Sequence, residues 1–130
     1  MEITKDSVKY IQSRYSRFYD GVVKSVQIDM GSAISVQLLI EATDLESPSG
    51  WSLVRITVSN VSTFTFQKDR TTFHILSEGV FLHWRENDLL IVLDASQDTV
   101  NTVAPIDLSR EIGWLFCQTA HLTSSIIQLD

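Results

Sequence analysis

The sequence predicts a mainly β fold: an antiparallel β-sandwich or half-open barrel of about seven to nine strands with one N-terminal α-helix. Apolar and polar residues alternate from Val22 to about Leu93, as in strands with one face in a core and one in water. Short polar turns interrupt this alternation, which is typical of consecutive antiparallel strands. Residues 4–18 instead place apolar side chains three and four apart, the spacing of a helix.

Length and composition fit a single domain, residues 1–130, with a helix at about 4–18 and strands at about 22–129. The hydrophobic fraction of 44% and the charged fraction of 20% are ordinary for a globular protein. The N-terminal segment lacks the pattern of a signal peptide, and the longest apolar runs are too short to span a bilayer. Cys117 is the only cysteine, which excludes an internal disulfide. We therefore expect a cytoplasmic protein without a membrane partner.

The helix has one apolar stripe and a polar side that we expect to face water. Thr4 or Asp6 could cap its start through a side-chain oxygen. Asp20-Gly21 is expected to end it, with the glycine in the left-handed conformation. The stripe consists of Val8, Ile11, Tyr15 and Phe18, and the polar side of Lys9, Gln12, Ser13, Arg14 and Arg17.

Four strands follow in the first half of the chain. Residues 22–28 form the first, with Lys24 as the exception on its inward side, and residues 29–32 form a turn. Residues 34–43 show the cleanest alternation, and residues 44–50 form a loop. The next strands are 51–59 and 62–66, with a bend at Asn60 between them. The expected inward residues are Val22, Val26 and Ile28, then Ile34, Val36, Leu38, Ile40 and Ala42, and then Val54, Ile56 and Val58.

The second half predicts two hairpins and an ambiguous tail. A two-residue turn at Asn87-Asp88 would pair Trp84 with Ile91 and would put the large apolar residues of both strands on one face. A turn at Glu78-Gly79 would pair residues 73–77 with residues 80–85. Residues 112–129 show both strand and helix spacing, and the β-branched residues near their end favour strands.

Few residues suggest chemistry. The turn at Glu78-Gly79 would oppose His74 and His83 on neighbouring strands, close enough to share a metal, although no metal-binding spacing accompanies them. Cys117 and His121 would be neighbours on a helix and too far apart on a strand. Two carboxylate pairs, Asp44 with Glu46 and Glu86 with Asp88, lie in expected turns, where acids are usually solvated. We therefore expect no catalytic residues, no metal and no cofactor.

The net charge of −6 is uneven along the chain. Residues 1–24 have a net charge of +2 and the remainder −8. An acidic body repels phosphate backbones and argues against a nucleic-acid partner. It suits a basic protein partner through electrostatic steering, and it also serves solubility alone.

One surface is the best candidate for binding a protein. Trp51 follows the 44–50 loop and shares a strand face with Arg55, opposite the apolar face. Tryptophan and arginine are enriched in interface hot spots, although covering a sheet end is the commoner role of such a tryptophan. The candidate partner-binding residues are Asp44, Glu46, Trp51, Arg55, Glu86 and Asp88.

Three segments follow one another in a recognisable order. They are Phe18-Tyr19-Asp20-Gly21-Val22-Val23 after the helix, a strand rich in Val, Leu and Ile, and Trp51-x-x-Val54-x-Ile56 before Asn60-Val61. In this order they resemble small β-rich bacterial immunity proteins, which are encoded beside polymorphic or contact-dependent toxins. The resemblance covers roughly residues 15–95. Related sequences often have a histidine where this chain has Tyr19.

The resemblance implies a non-enzymatic inhibitor that binds one cognate toxin, often through an acidic surface, and occludes its active site. The expected partner is accordingly a protein, a basic toxin domain. Two other functions stay open. A curved sheet could hold an apolar small molecule in its cup, and His74 with His83 could serve a metal-dependent enzyme.

Overall fold

The computed structural model describes residues 1–66, 74–85, 88–93, 115–119 and 125–128. The chain begins with one short helix and continues almost entirely as strands. Its elements are α1 (Ser7–Arg14), a short helical turn (Ser16–Phe18), β1 (Gly21–Met30), β2 (Ile34–Thr43), β3 (Trp51–Val58), β4 (Val61–Phe66), β5 (Ile75–Leu76), β6 (Val80–Arg85), β7 (Asp88–Leu93), β8 (Leu115–Thr119) and β9 (Ser125–Gln128).

The strands form two antiparallel sheets. The first has the order β5-β1-β2-β3-β9 and the second the order β4-β8-β7-β6. Within the described ranges neither sheet closes on itself as a barrel. The expectation of a mainly β, antiparallel fold with one N-terminal helix is confirmed. The tail forms strands where it is described, as its β-branched residues favoured.

The helix is shorter than its apolar spacing predicts. Thr4 Oγ1 accepts the Ser7 N–H at 3.1 Å and Ser7 Oγ accepts the Thr4 N–H at 2.8 Å, so Thr4 acts as the cap, whereas Asp6 makes no capping bond. Three successive left-handed residues after Tyr15, with φ of 49°, 54° and 60°, stop the helix before residue 18. They are Ser16, Arg17 and Phe18.

Gly21 is not the left-handed residue that the sequence suggested. That conformation belongs to Asp20, with φ of 60°, and Gly21 already begins β1. A Cβ at residue 21 would lie 3.1 Å from the Phe18 carbonyl oxygen and 3.2 Å from Ile40 Cγ2. The glycine is therefore needed for the close approach of β1 to its neighbours.

A β-bulge in β1 explains the Lys24 exception. The pairing with β2 shifts between Val23 and Ser25, which leaves Lys24 as the extra residue. Val23 faces the core and Val22 is half-buried, so the expectation of an inward Val22 is wrong. After the bulge the alternation changes phase, and Val26 packs against the core as expected.

Strands β2 and β3 match their predicted faces. Their inward side chains are fully buried except Ile34, which is half-buried against the core, and the two strands pair from Val36↔Val58 to Thr43↔Trp51. The buried set is Val36, Leu38, Ile40 and Ala42 of β2 with Val54, Ile56 and Val58 of β3. The odd-numbered residues of both strands therefore face away from the core.

The hairpin of β6 and β7 forms with a register two residues from the predicted one. Trp84 pairs with Leu89 and Leu82 with Ile91, and Asp88, expected in the turn, belongs to β7 and lies opposite Arg85. Because side chains alternate with a period of two, this slip leaves the same apolar residues on the same face. The pattern predicted the face and not the register.

The expected hairpin of residues 73–77 with residues 80–85 is wrong. β5 pairs with β1, through Gly21↔Leu76 and Val22↔Ile75, and not with β6. At Gly79, with φ of +74°, the chain passes from the first sheet to the second. Gly79 also lies against the left-handed turn, because a Cβ there would be 2.2 Å from the Arg17 carbonyl oxygen.

One hydrophobic cluster joins the helix and both sheets. It includes Ile11 of α1, Phe18 of the helical turn, Ile56 of β3 and Ile91 of β7, all without solvent exposure. α1 thus packs beside the core through its apolar stripe. In the part of the chain that the structure describes, no helix is long and apolar enough to cross a membrane.

Candidate functional site

A buried ionic group lies where α1 meets the loop between β2 and β3. We call the side chains of Arg14, Asp44 and Ser52 the Asp44 cluster. Arg14 Nε donates to Asp44 Oδ1 at 2.9 Å and Arg14 Nη2 to Asp44 Oδ2 at 3.1 Å, a bidentate pair. Ser52 Oγ donates to Asp44 Oδ2 at 2.5 Å. Because both carboxylate oxygens have donors, this acid can lie inside the protein with no solvent exposure.

The Arg14 guanidinium, hydrogen-bonded to Asp44, lowers the pKa of that carboxyl from 3.8 to about 2, against the opposing effect of burial. Donation from Ser52 and from the Glu46 N–H lowers it further. The same pair raises the pKa of Arg14. Asp44 therefore stays ionised at neutral pH, and it is unsuited to accept a proton in catalysis.

The loop of residues 44–50 is fixed to the helix at several points. The Leu45 N–H donates to the Arg14 carbonyl oxygen at 3.0 Å, and the Glu46 N–H to Asp44 Oδ1 at 2.9 Å. The Asp44 N–H donates to the Gly50 carbonyl oxygen at 2.9 Å and closes the loop. The backbone of this loop is therefore held in one arrangement by the cluster beneath it.

Large apolar side chains lie exposed around this fixed loop. Leu45 is 70% exposed, Trp51 48% and Tyr10 42%. The Tyr10 hydroxyl donates to Glu46 Oε2, and Arg14 Nε lies 3.8 Å from the same oxygen. This hydrogen bond raises the pKa of Tyr10. We call Tyr10, Leu45, Glu46 and Trp51 the loop surface.

A second exposed area continues from Trp51 along β3. The outward residues of β3 include Trp51, Leu53 and Arg55, with Trp51 and Arg55 exposed and Leu53 half-buried. Their partners on β2 are Thr43, Glu41 and Leu39, in that order. We call these six residues the outer face. Trp51 belongs to both areas and joins the loop surface to the outer face.

The structure corrects the expected role of Asp44. The sequence predicted a solvated turn acid that contacts a partner, whereas its carboxylate is buried and held by Arg14 and Ser52. Glu46 and Trp51 are exposed, as a contact surface requires, and so is Arg55. Asp88 pairs through its backbone with Arg85 at the start of β7. Glu86 lies outside the described residues.

The histidine and cysteine hypotheses receive no geometric support from the described residues. His74 precedes β5 in the first sheet and His83 lies on β6 in the second, so the two are not cross-strand partners. No group of three or more His, Cys, Asp or Glu side chains that could hold a metal lies within the described ranges. Cys117 pairs through its backbone with Phe64 and Ile91, and His121 lies outside the described residues.

Sequence reasoning missed several residues of this region. Arg14 was placed on the water-facing side of the helix, and the structure turns it toward Asp44. Tyr10 and Leu45 were not singled out at all. The available signal was one arginine at the helix end and one acid that opens a loop, two groups that can form a bidentate pair. The thirty-residue separation of Arg14 and Asp44 along the chain hides this signal.

Comparison with known families, with curated proteins and with solved structures finds no significant match for this chain.

Proposed function

We propose that the chain is a non-enzymatic protein-binding domain, and that the loop surface forms the centre of its contact with the partner. The observation that supports this is the exposure of Tyr10, Leu45 and Trp51 on a backbone that the Asp44 cluster fixes. Large apolar side chains on a backbone that is fixed before binding leave less backbone entropy to be lost in a complex, which favours affinity. Tyrosine and tryptophan are also among the residues enriched in interface hot spots.

The charges of the region favour binding over catalysis. Asp44 is ionised and fully hydrogen-bonded, and Ser52 is 1% exposed and donates to it. A nucleophile or general base needs access to substrate and a pKa matched to its task. Neither residue offers this combination, so the proposal assigns no catalytic residue here.

In its concrete form the proposal is an immunity protein that neutralises a cognate bacterial toxin in the cytoplasm by occluding its active site. The net charge of −6 supports a partner of positive charge, because opposite charges speed the encounter of two proteins. Within this proposal the two sheets form a sandwich, since one hydrophobic cluster contains side chains of both.

The test is affinity capture with the purified chain as bait, using the source cytoplasm and, separately, the product of the adjacent gene. Trp51→Ala and Leu45→Ala remove large exposed side chains from the loop surface. Met30→Ala is the matched control, because Met30 is 67% exposed at the opposite end of the same sheet. Circular dichroism checks that each variant folds.

The proposal expects one basic protein to be retained by the wild type and by Met30→Ala, and to be lost with Trp51→Ala. Retention should weaken as salt rises, because screening removes the steering attraction. If Trp51→Ala retained the partner as well as Met30→Ala does, the assignment of the loop surface would be contradicted. A small molecule in the eluate, without a retained protein, would favour the ligand-binding alternative instead.

A further inference from the structure

We infer that the outer face recognises a linear, extended segment of the partner protein that places one carboxylate on Arg55 and apolar side chains over Leu53 and Trp51. This inference rests on the proposed protein-binding function and specifies which chemical groups of the partner the outer face binds.

The register places an exposed cation at the end of an apolar row. Along β3 the outward residues follow one another as Trp51, Leu53 and Arg55, about 7 Å apart. Across the strand Arg55 lies opposite Leu39, which is half-buried. Apolar neighbours exclude water from one side of a guanidinium and so strengthen its hydrogen bonds to an incoming carboxylate.

The nearest acid of the sheet is already paired. Glu41 lies diagonal to Arg55 across β2 and β3, within reach of long side chains. Its Oε2, however, lies 3.4 Å from Lys24 Nζ, the residue that the bulge of β1 turns outward. In the described part of the chain Arg55 forms no ion pair, so the outer face has one positive charge that Glu41 leaves unmatched.

An acidic ligand at this point is compatible with a basic partner. Net charge acts over distances comparable to the Debye length and steers the approach, whereas a bidentate arginine–carboxylate pair acts at contact. A partner that is basic overall can therefore present one acidic residue to Arg55. The distance from Arg55 to Trp51, about 13 Å along the strand, matches an extended segment of about five residues.

The experiment uses a phage-displayed library of random linear peptides, selected on the immobilised wild-type chain. Selected peptides are synthesised, and their affinities are measured by fluorescence anisotropy. The variants are Arg55→Gln and Lys24→Gln. Each removes one positive charge from the same sheet face, but among the described residues only Lys24 has an acidic partner there, Glu41.

The expected peptides contain an aspartate or glutamate a few residues from an aromatic or aliphatic side chain. Arg55→Gln should weaken their binding about tenfold or more, because the variant removes the charge-assisted, bidentate hydrogen bonds to the carboxylate. Lys24→Gln should change affinity less than about twofold. Arg55→Lys should weaken peptide binding less than Arg55→Gln does, because lysine keeps the charge and lacks only the bidentate geometry.

Selected peptides without acidic residues, equal binding by Arg55→Gln, or no enrichment at all would each overturn the inference. These results leave the proposed function to its own test. Capture of the partner protein that is lost with Trp51→Ala and kept with Arg55→Gln would support the protein-binding surface and refute only the carboxylate recognition by Arg55. Failure of the wild-type chain to capture any partner protein would refute the proposed function itself.

Discussion

Two acids at one end of β2, Glu41 and Asp44, show how differently the same kind of ion pair can act in one protein. Each has a basic partner, Lys24 for Glu41 and Arg14 for Asp44. The Lys24–Glu41 pair is about half exposed and spans 3.4 Å. The Asp44 carboxylate is fully buried and accepts hydrogen bonds from two side chains and one backbone N–H.

The Asp44 cluster is therefore part of the fold, whereas the Lys24–Glu41 pair is a surface feature. An exposed pair contributes about 0–1 kcal/mol because water solvates both charges well. Removing one partner of a buried pair leaves a charge without compensation and costs about 3–5 kcal/mol. Four predictions test this contrast.

Replacing Arg14 should have the largest effect. Arg14→Met should destabilise the chain by about 3–5 kcal/mol, because the buried Asp44 charge loses its counter-ion. The matched change Lys24→Met should cost less than about 1 kcal/mol. Urea denaturation followed by circular dichroism measures both. Similar losses of unfolding free energy in Arg14→Met and Lys24→Met would contradict the distinction between the buried and the exposed ion pair.

Lowering the pH from 6 to about 2 should reduce the free energy of unfolding of the wild type, relative to that of Asp44→Asn, by about 2 kcal/mol. The folded pKa of Asp44, about 2, lies below its ordinary value of 3.8, so its stabilisation is complete above about pH 5. That stabilisation is lost as pH falls through 3.8 toward 2. In this range the carboxyl of the unfolded chain binds a proton more readily than that of the folded chain, so acid favours unfolding.

The measurement is the difference in unfolding free energy between the wild type and Asp44→Asn, taken from pH 6 down to about pH 2. Asparagine does not titrate, so the other carboxyl groups of the chain cancel in this difference. A gap that stays constant over this range would contradict the lowered pKa of Asp44.

Ser52→Ala should have an intermediate effect. The variant removes one donor from a buried carboxylate, which we expect to cost about 1.5–3 kcal/mol. Ser47→Ala is a suitable control, because its hydroxyl bonds lie at the exposed rim of the same loop. Thermal unfolding of both variants gives the comparison, and equal midpoints would argue against a role for Ser52 in the cluster.

Glu41→Gln should have the smallest effect, within about 0.5 kcal/mol of the wild type. The variant keeps nearly the same shape and removes only the exposed ion pair with Lys24. Urea denaturation at low and at moderate salt measures it. A loss above 1 kcal/mol would mean that the outer face contributes more to stability than its exposure indicates.

The sequence predicts faces in this fold better than it predicts neighbours. The alternation in β2 and β3 correctly identified the buried residues, because burial acts on every second residue of a strand. The hairpin of β6 and β7 shows the limit of that signal, since a two-residue slip leaves the same faces buried. The partner of β5 was wrong because the pairing of two-residue strands depends on the rest of the sheet.

The candidate site was only partly predictable for the same reason. Trp51 and Arg55 stood out because residue types enriched in interface hot spots share the strand face opposite the apolar one. Whether Asp44 faces water depends on Arg14, thirty residues earlier in the chain, and spacing within one element does not report such a contact. The exposure of Tyr10 and Leu45 likewise depends on how the helix docks against the loop.

The most direct test of the central claim is the Kd of the captured partner protein for Trp51→Ala and Met30→Ala, measured by isothermal titration calorimetry. If the loop surface is the centre of the contact, Trp51→Ala should weaken binding about thirtyfold, the effect of losing about 2 kcal/mol at a hot spot. Met30→Ala should leave the Kd within about twofold. Equal values for the two variants would contradict a binding surface built around Trp51.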